Sequence, residues 1–174
     1  MGRRGRLGVL VLLVGTLAHA AGARGQAEAP RPSSLQEVEV VAVMQDRRSL
    51  QPVVLLSSKR DKRPLMLVIG PAEATSIAVP LEGVVTPRPL THDLFLTVFG
   101  QLKVSVARVV ITDLRDGIFY ASIELKTPDK PILLDARPSD AIALAIRAKV
   151  PVLVESHVFD KSEQQRPAAP RQQL

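Results

Sequence analysis

Residues 141–146, Ala-Ile-Ala-Leu-Ala-Ile, carry no polar side chain. Pro138 and Ser139 open the helix they belong to. Asp140 stands in its first turn, where the helix dipole favours an anion. A helix that is apolar on nearly every face until Arg147 and Lys149 has to be wrapped by other elements. The remaining sequence supplies that wrapping as strands. Val38–Val43, Val53–Leu56 and Pro64–Ile69 have strand composition. The polar run Ser57–Arg63 joins the last two, so the three predict an antiparallel meander with a charged hairpin tip.

Gly70-Pro71 marks a change of element, and Pro71 suits the first position of a helix over Ala72–Glu82 that stops at Gly83. Pro80 removes one backbone bond there, which predicts a kinked or shortened last turn. Val84–Leu90, with two prolines, reads as loop. Thr91 is a good N-cap, and Leu94, Phe95, Val98, Phe99 and Leu102 give the next helix an apolar face. Val104–Ile111 and Ile118–Leu125 read as strands joined at the turn signal Asp116-Gly117. Pro131–Leu134 and Val152–Val154 are further short strands. Strands interspersed with three helices and joined partly by hairpins predict an α+β single domain with a mainly antiparallel sheet.

Composition removes whole chemistries. The chain has 174 residues and no cysteine, so disulfide scaffolds, thiolate metal sites and thiol nucleophiles are absent. Aromatics are 3% and tryptophan is absent, which argues against a platform of many stacked aromatics. The net charge of +6 is uneven. Residues 36–162 hold 16 basic and 15 acidic side chains, so the excess belongs to the flanks and says little about what the folded part binds.

Residues 1–20 read as a signal peptide. Arg3, Arg4 and Arg6 precede the apolar run Leu7–Leu17, and Ala18-His19-Ala20 and Ala21-Gly22-Ala23 both fit the small-x-small cleavage rule. Eleven residues are too few to span a bilayer as a helix, which needs about 20. The expectation is an exported protein, periplasmic or secreted, without an integral membrane span in its mature chain. An uncleaved anchor is the competing reading. Residues 21–35 read as linker and 163–174 as a disordered tail, leaving 36–162 as the domain.

Four segments carry a resemblance: Ile69-Gly70-Pro71-Ala72-Glu73-Ala74; Arg88-Pro89-Leu90-Thr91-His92-Asp93-Leu94; Val110–Ala121; and Asp135-Ala136-Arg137-Pro138-Ser139-Asp140 with the apolar run after it. Their order and spacing resemble the bifunctional nuclease domain, named for plant members with both RNase and DNase activity. The resemblance covers about 36–162. It implies phosphodiester hydrolysis on RNA or DNA with little sequence specificity. A homo-oligomer is also expected.

Phosphodiester cleavage needs an activated water or hydroxyl, neutralisation at the phosphoryl oxygens and help for the leaving oxygen. His92, Asp93, Glu73, Asp135 and Asp140 are the candidate proton-transfer or metal-holding groups. A divalent metal is one possible cofactor, and the sequence does not assign it. Arg137 and Arg88 are the candidate phosphate ligands, since a planar guanidinium matches two oxygens. Each has a structural alternative. Asp93 and Asp140 suit helix dipoles alone, and Arg137 equally suits an ion pair with Asp135 or Asp140. Asp113 and Asp116 read as hairpin-shaping residues. Lys59–Arg63 reads as a solvated tip rather than a nucleic-acid grip. The competing function is a non-catalytic oligomerising or ligand-binding module of the cell envelope. If the nuclease reading holds, the helix starts at Thr91–Asp93 and Pro138–Asp140 should converge, with Glu73 and Arg137 lining the same cleft.

Overall fold

Three strands, β1 (Leu35–Gln45), β2 (Pro52–Ser58) and β3 (Pro64–Val68), form the expected antiparallel meander. The computed structural model describes residues 34–47 and 49–165. The signal-peptide reading, its cleavage site, the linker up to residue 33 and the tail from residue 166 lie outside the described residues. Among the described residues no helix is long and apolar enough to cross a membrane.

After the meander come α1 (Pro71–Leu81), α2 (Thr91–Gln101), β4 (Ser105–Arg115), β5 (Ile118–Lys126), β6 (Ile132–Ala136), α3 (Pro138–Ala148), β7 (Val152–Glu155) and α4 (Ser156–Gln165). The seven strands make one sheet in the order β3-β2-β1-β7-β4-β5-β6. Every pairing is antiparallel except β4 with β7. The fold is α+β, and the sheet is mixed but mostly antiparallel. The parallel pair exists because α3 carries the chain back across the sheet before β7 enters beside β4.

The hairpin turn follows from its residues. Asp116 and Gly117 both have positive φ, 50° and 78°, as a two-residue turn of type I′ requires. Val110 breaks strict alternation in β4, and the ladder to β5 shifts register twice, between Val106 and Arg108 and between Ile111 and Asp113. The pairing places Val38, Leu56, Val152, Val109, Ile123 and Ile111 on one face of the sheet. These join Ile77 of α1 and Ala141, Ile142, Leu144 and Ala145 of α3 in a single core. The apolar helix is buried as its composition demands.

Three features depart from expectation. A fourth helix, α4, follows β7 without a turn signal and continues to Gln165, three residues into the segment read as tail. Its sequence is polar. Only Val158 and Phe159 are buried, so no apolar stripe announces it. Asp113 does more than shape the hairpin. It accepts hydrogen bonds from Lys161 Nζ at 2.6 Å and Arg115 Nε at 2.6 Å, and His157 Nε2 lies 3.3 Å away. Burial opposes its ionisation. Lys161 and Arg115 outweigh burial and hold the carboxyl far below the ordinary range. At the hairpin tip, Arg63 pairs with Asp160 and lies 4.9 Å over the Phe159 ring, so the tip's last cation is spent on α4.

Candidate active site

Helix α1 begins at Gly70, whose backbone is extended, with Pro71 at the first helical position. Glu73 in the first turn folds back over that cap. A methyl group on Gly70 would collide with Glu73 Oε2, so glycine is what allows the carboxylate to lie there. Helix α3 begins the same way, with Arg137 as an extended cap residue before Pro138. From that position the guanidinium reaches both ways. Its Nε donates to Asp140 Oδ2 at 2.7 Å, and Nη2 to Asp140 Oδ1 at 3.1 Å. Nη1 donates to Glu73 Oε1 at 2.8 Å. Arg137 thus pairs with Asp140 and Glu73, not with Asp135.

Helix α2 brings in His92. Its Nε2 lies 3.3 Å from Asp140 Oδ1, while Nδ1 is buried without a hydrogen-bond partner. The arrangement fits a neutral imidazole that carries its proton on Nε2 and donates it to Asp140. The orphaned nitrogen is then a lone pair, cheaper to leave unpartnered than an N–H. Burial disfavours the Asp140 charge, but Arg137 and then His92 more than compensate and keep the carboxyl below its ordinary range. Arg137 in turn is raised, first by Asp140 and then by Glu73, and stays charged at any relevant pH.

These four side chains rim a cavity of about 640 Å³. Its lining is apolar, with Phe95 and Phe99 of α2, Ile123 of β5, Leu134 of β6 and Leu144 of α3. The convergence expected from the sequence is therefore present in the geometry: two helix starts, Glu73 and Arg137 face one cleft. Asp135 borders the same cavity, but the register pairs it with Ser122, on the sheet face opposite Leu134 and Ala136, and it takes no part in the network.

Asp93 and Arg88 are elsewhere. Asp93 turns away from the cavity. Its Oδ2 accepts from Leu90 N–H at 2.8 Å, and its Oδ1 accepts from Arg147 Nε at 2.7 Å. Burial opposes its charge, while Leu90 and Arg147 hold it ionised. This corrects the expected cap of α2. Leu90, not Thr91, occupies the cap position, and a leucine cannot accept a bond. Asp93 does the capping from inside the helix. Arg88 lies with Asp93 and Arg147 at a separate hollow of about 320 Å³, so it is not a second phosphate ligand for the Arg137 cavity.

Sequence reasoning missed Arg147. Its side chain is only 6% exposed, and besides Asp93 it bonds the carbonyls of Ser76 at 2.6 Å and Ala143 at 3.0 Å. The Ser76 carbonyl is the one that Pro80, lacking an N–H, leaves unsatisfied in α1. The helix runs on to Leu81 because Arg147 replaces the lost donor. Pro80 was the available signal: a proline inside a packed helix requires a donor from elsewhere.

Glu73 and Asp140 are the two carboxylates best placed for a divalent cation. Both are committed to Arg137, and among the described residues no group of three His, Asp or Glu side chains gathers as a metal site. The donor set does not fit a resident metal.

Comparison with known proteins gives the family. Residues 54–167 match the family described as the bifunctional nuclease domain. The chain is 42% identical over 123 residues to an uncharacterised protein of Mycobacterium tuberculosis, in strains CDC 1551 and H37Rv, covering 71% of this chain and 73% of the relative. It is 28% identical over 121 residues to bifunctional nuclease 1 of Oryza sativa subsp. indica, covering 67% of this chain and 37% of the plant protein. The charged rim comes from three of the four segments that carry the resemblance, through Glu73, His92, Arg137 and Asp140, and the matched region spans most of the chain: this protein belongs to the bifunctional nuclease domain family.

Proposed function

We propose that the protein is an exported phosphodiester hydrolase acting on RNA, DNA or both with little sequence preference. The observation that carries this reading is the junction of His92, Asp140, Arg137 and Glu73, drawn from three helix starts onto one cavity rim. A guanidinium has five N–H donors, and three are occupied here, so two remain for phosphoryl oxygens. Arg137 is two-thirds exposed and reachable. His92 Nε2 and Asp140 are the proton-transfer pair, since Nδ1 is buried and only the Nε2 side meets Asp140 at the cavity rim. Glu73 keeps the guanidinium swung across the mouth. Export rests on residues 1–20. Low specificity rests on the resemblance to the family.

A second reading, a non-catalytic ligand-binding or oligomerising module, draws on the charge of the same rim. Two carboxylates and one guanidinium leave it at −1 with His92 neutral, and the lining is apolar, which suits a small organic ligand. A cleavage assay separates the two. Protein lacking residues 1–20 is incubated with single-stranded RNA and DNA of unrelated sequences, with and without chelator. The hydrolase reading expects cleavage of both sequences and little loss with chelator. A folded protein that cleaves neither polymer refutes it.

A further inference from the structure

The Arg137–Glu73 pair has a hollow on each side. One is the cavity of about 640 Å³ that His92 and Asp140 border. The other, of about 490 Å³, is lined by Leu67 and Ile69, by Ile118 and Phe119 of β5, and by Ser139 of α3. Glu73 and Arg137 are the two residues that line both. Both volumes lie in the range that holds a small organic group. Each wall carries aromatic side chains, Phe95 and Phe99 in the first hollow and Phe119 in the second. On β5 the first hollow is marked by Ile123 and the second by Phe119, which share a sheet face and stand four residues, about 13 Å, apart.

We infer that these hollows are two base subsites on either side of one phosphodiester, so that a single strand passes across Arg137 and is cut at an internal bond. The inference rests on the hydrolase reading. A phosphodiester held by the two unspent donors of Arg137 carries a nucleoside on each side by its covalent structure, and a hollow stands ready for each. Successive bases in a helix are about 3.4 Å apart, so two bases that reach walls about 13 Å apart are splayed, which the paired and stacked bases of a duplex are not. An enzyme that works from a strand end needs a charge to hold the terminal phosphate. The second hollow has no charged side chain beyond the shared pair, and the first adds the carboxylates of Asp135 and Asp140, which repel a phosphate. Ile118 and Val68 at the second hollow are 60% and 61% exposed, so the strand has a way out beyond it.

The test gives the full-length chain three substrates of one sequence: circular single-stranded DNA, which has no end, its linear form, and the duplex. The circle should be cut within about threefold of the rate of the linear strand, and the duplex at least about tenfold more slowly. A circle that survives while the linear strand is degraded overturns the inference and leaves the hydrolase reading standing. A duplex cut as fast as the single strands overturns it as well. A folded protein that cuts none of the three removes both. The second hollow has its own test on the circle. Phe119→Ala should raise KM about tenfold with kcat within about twofold of wild type, as loss of a stacking surface does. Phe119 also packs on the core, so Ile118→Asp supplies a second variant at an exposed position of the same wall, with a comparable rise in KM expected. Val85→Asp, on an exposed loop outside both hollows, should move KM by less than about twofold. A folded Ile118→Asp protein with the KM of wild type overturns the second subsite.

Discussion

Helix α3 carries one arginine at each end, and the two do opposite work. Arg147, at the C-terminal end, is buried and bonds a carboxylate on α2 and carbonyls on α1 and α3. Arg137, before the first turn, is two-thirds exposed and bonds carboxylates only, at the mouth of a cavity. Both tie α3 to a neighbouring helix. The buried arginine bonds the Ser76 and Ala143 carbonyls as well as Asp93, whose side chain is partly exposed, so its removal leaves the Ser76 carbonyl in particular without a donor. The exposed one makes pairs that water can replace and keeps donors unspent. The same residue type on the same helix is thus a clamp at one end and an available ligand at the other.

The largest expected effect falls on the clamp. Arg147→Ala should lower folding stability by about 3 kcal/mol, since it leaves the Ser76 carbonyl and Asp93 without their donor. Chemical denaturation measures this. A loss under about 1 kcal/mol would erase the contrast with Arg137. At the other end, Arg137→Ala should change stability by less than about 1 kcal/mol, as exposed pairs do, and raise KM for a polynucleotide roughly tenfold. A collapse in melting temperature instead would make Arg137 a second clamp.

A sharper test pairs Arg147 with Pro80. In the wild type Pro80→Ala should matter little, because Arg147 already satisfies Ser76. On the Arg147→Ala background the new N–H can bond that carbonyl within α1, and stability should recover by about 1 kcal/mol. Equal effects of Pro80→Ala in both backgrounds would show that the two residues do not share that carbonyl.

Acid dependence is the smallest effect. The folded carboxyls of Asp140, Asp93 and Asp113 lie below their unfolded values. Their contribution is complete above the unfolded carboxylate range near pH 4 and is lost as pH falls through the folded values. Denaturation midpoints measured from pH 6 to pH 3 should fall, and Asp113→Asn should flatten that fall more than Asp140→Asn. An unchanged slope in both variants would count against these ion pairs.

Much of this was legible in the sequence, and the reasons differ by element. The meander, the Asp116-Gly117 hairpin and the buried helix α3 announce themselves because composition and turn chemistry act locally. The convergence of Glu73, His92, Arg137 and Asp140 was legible only as a chemical requirement, since no single segment held both a proton-transfer group and a guanidinium. Asp93 and His92 are neighbours in sequence yet face opposite ways, because residues one apart on a helix do not share a face. Helix α4 was hidden by its polar sequence and two buried anchors. Arg147 was hidden because a basic residue in the last turn is ordinarily a solvent-facing partner of the helix dipole.

The most direct test of the central claim is the turnover of His92→Ala on single-stranded RNA and DNA, run well below its melting temperature. The geometry predicts that kcat falls at least about 100-fold while KM changes little and the melting temperature stays within about 5 °C of wild type. A folded His92→Ala protein that cleaves at the wild-type rate would contradict the assignment of this cavity as the site of chemistry.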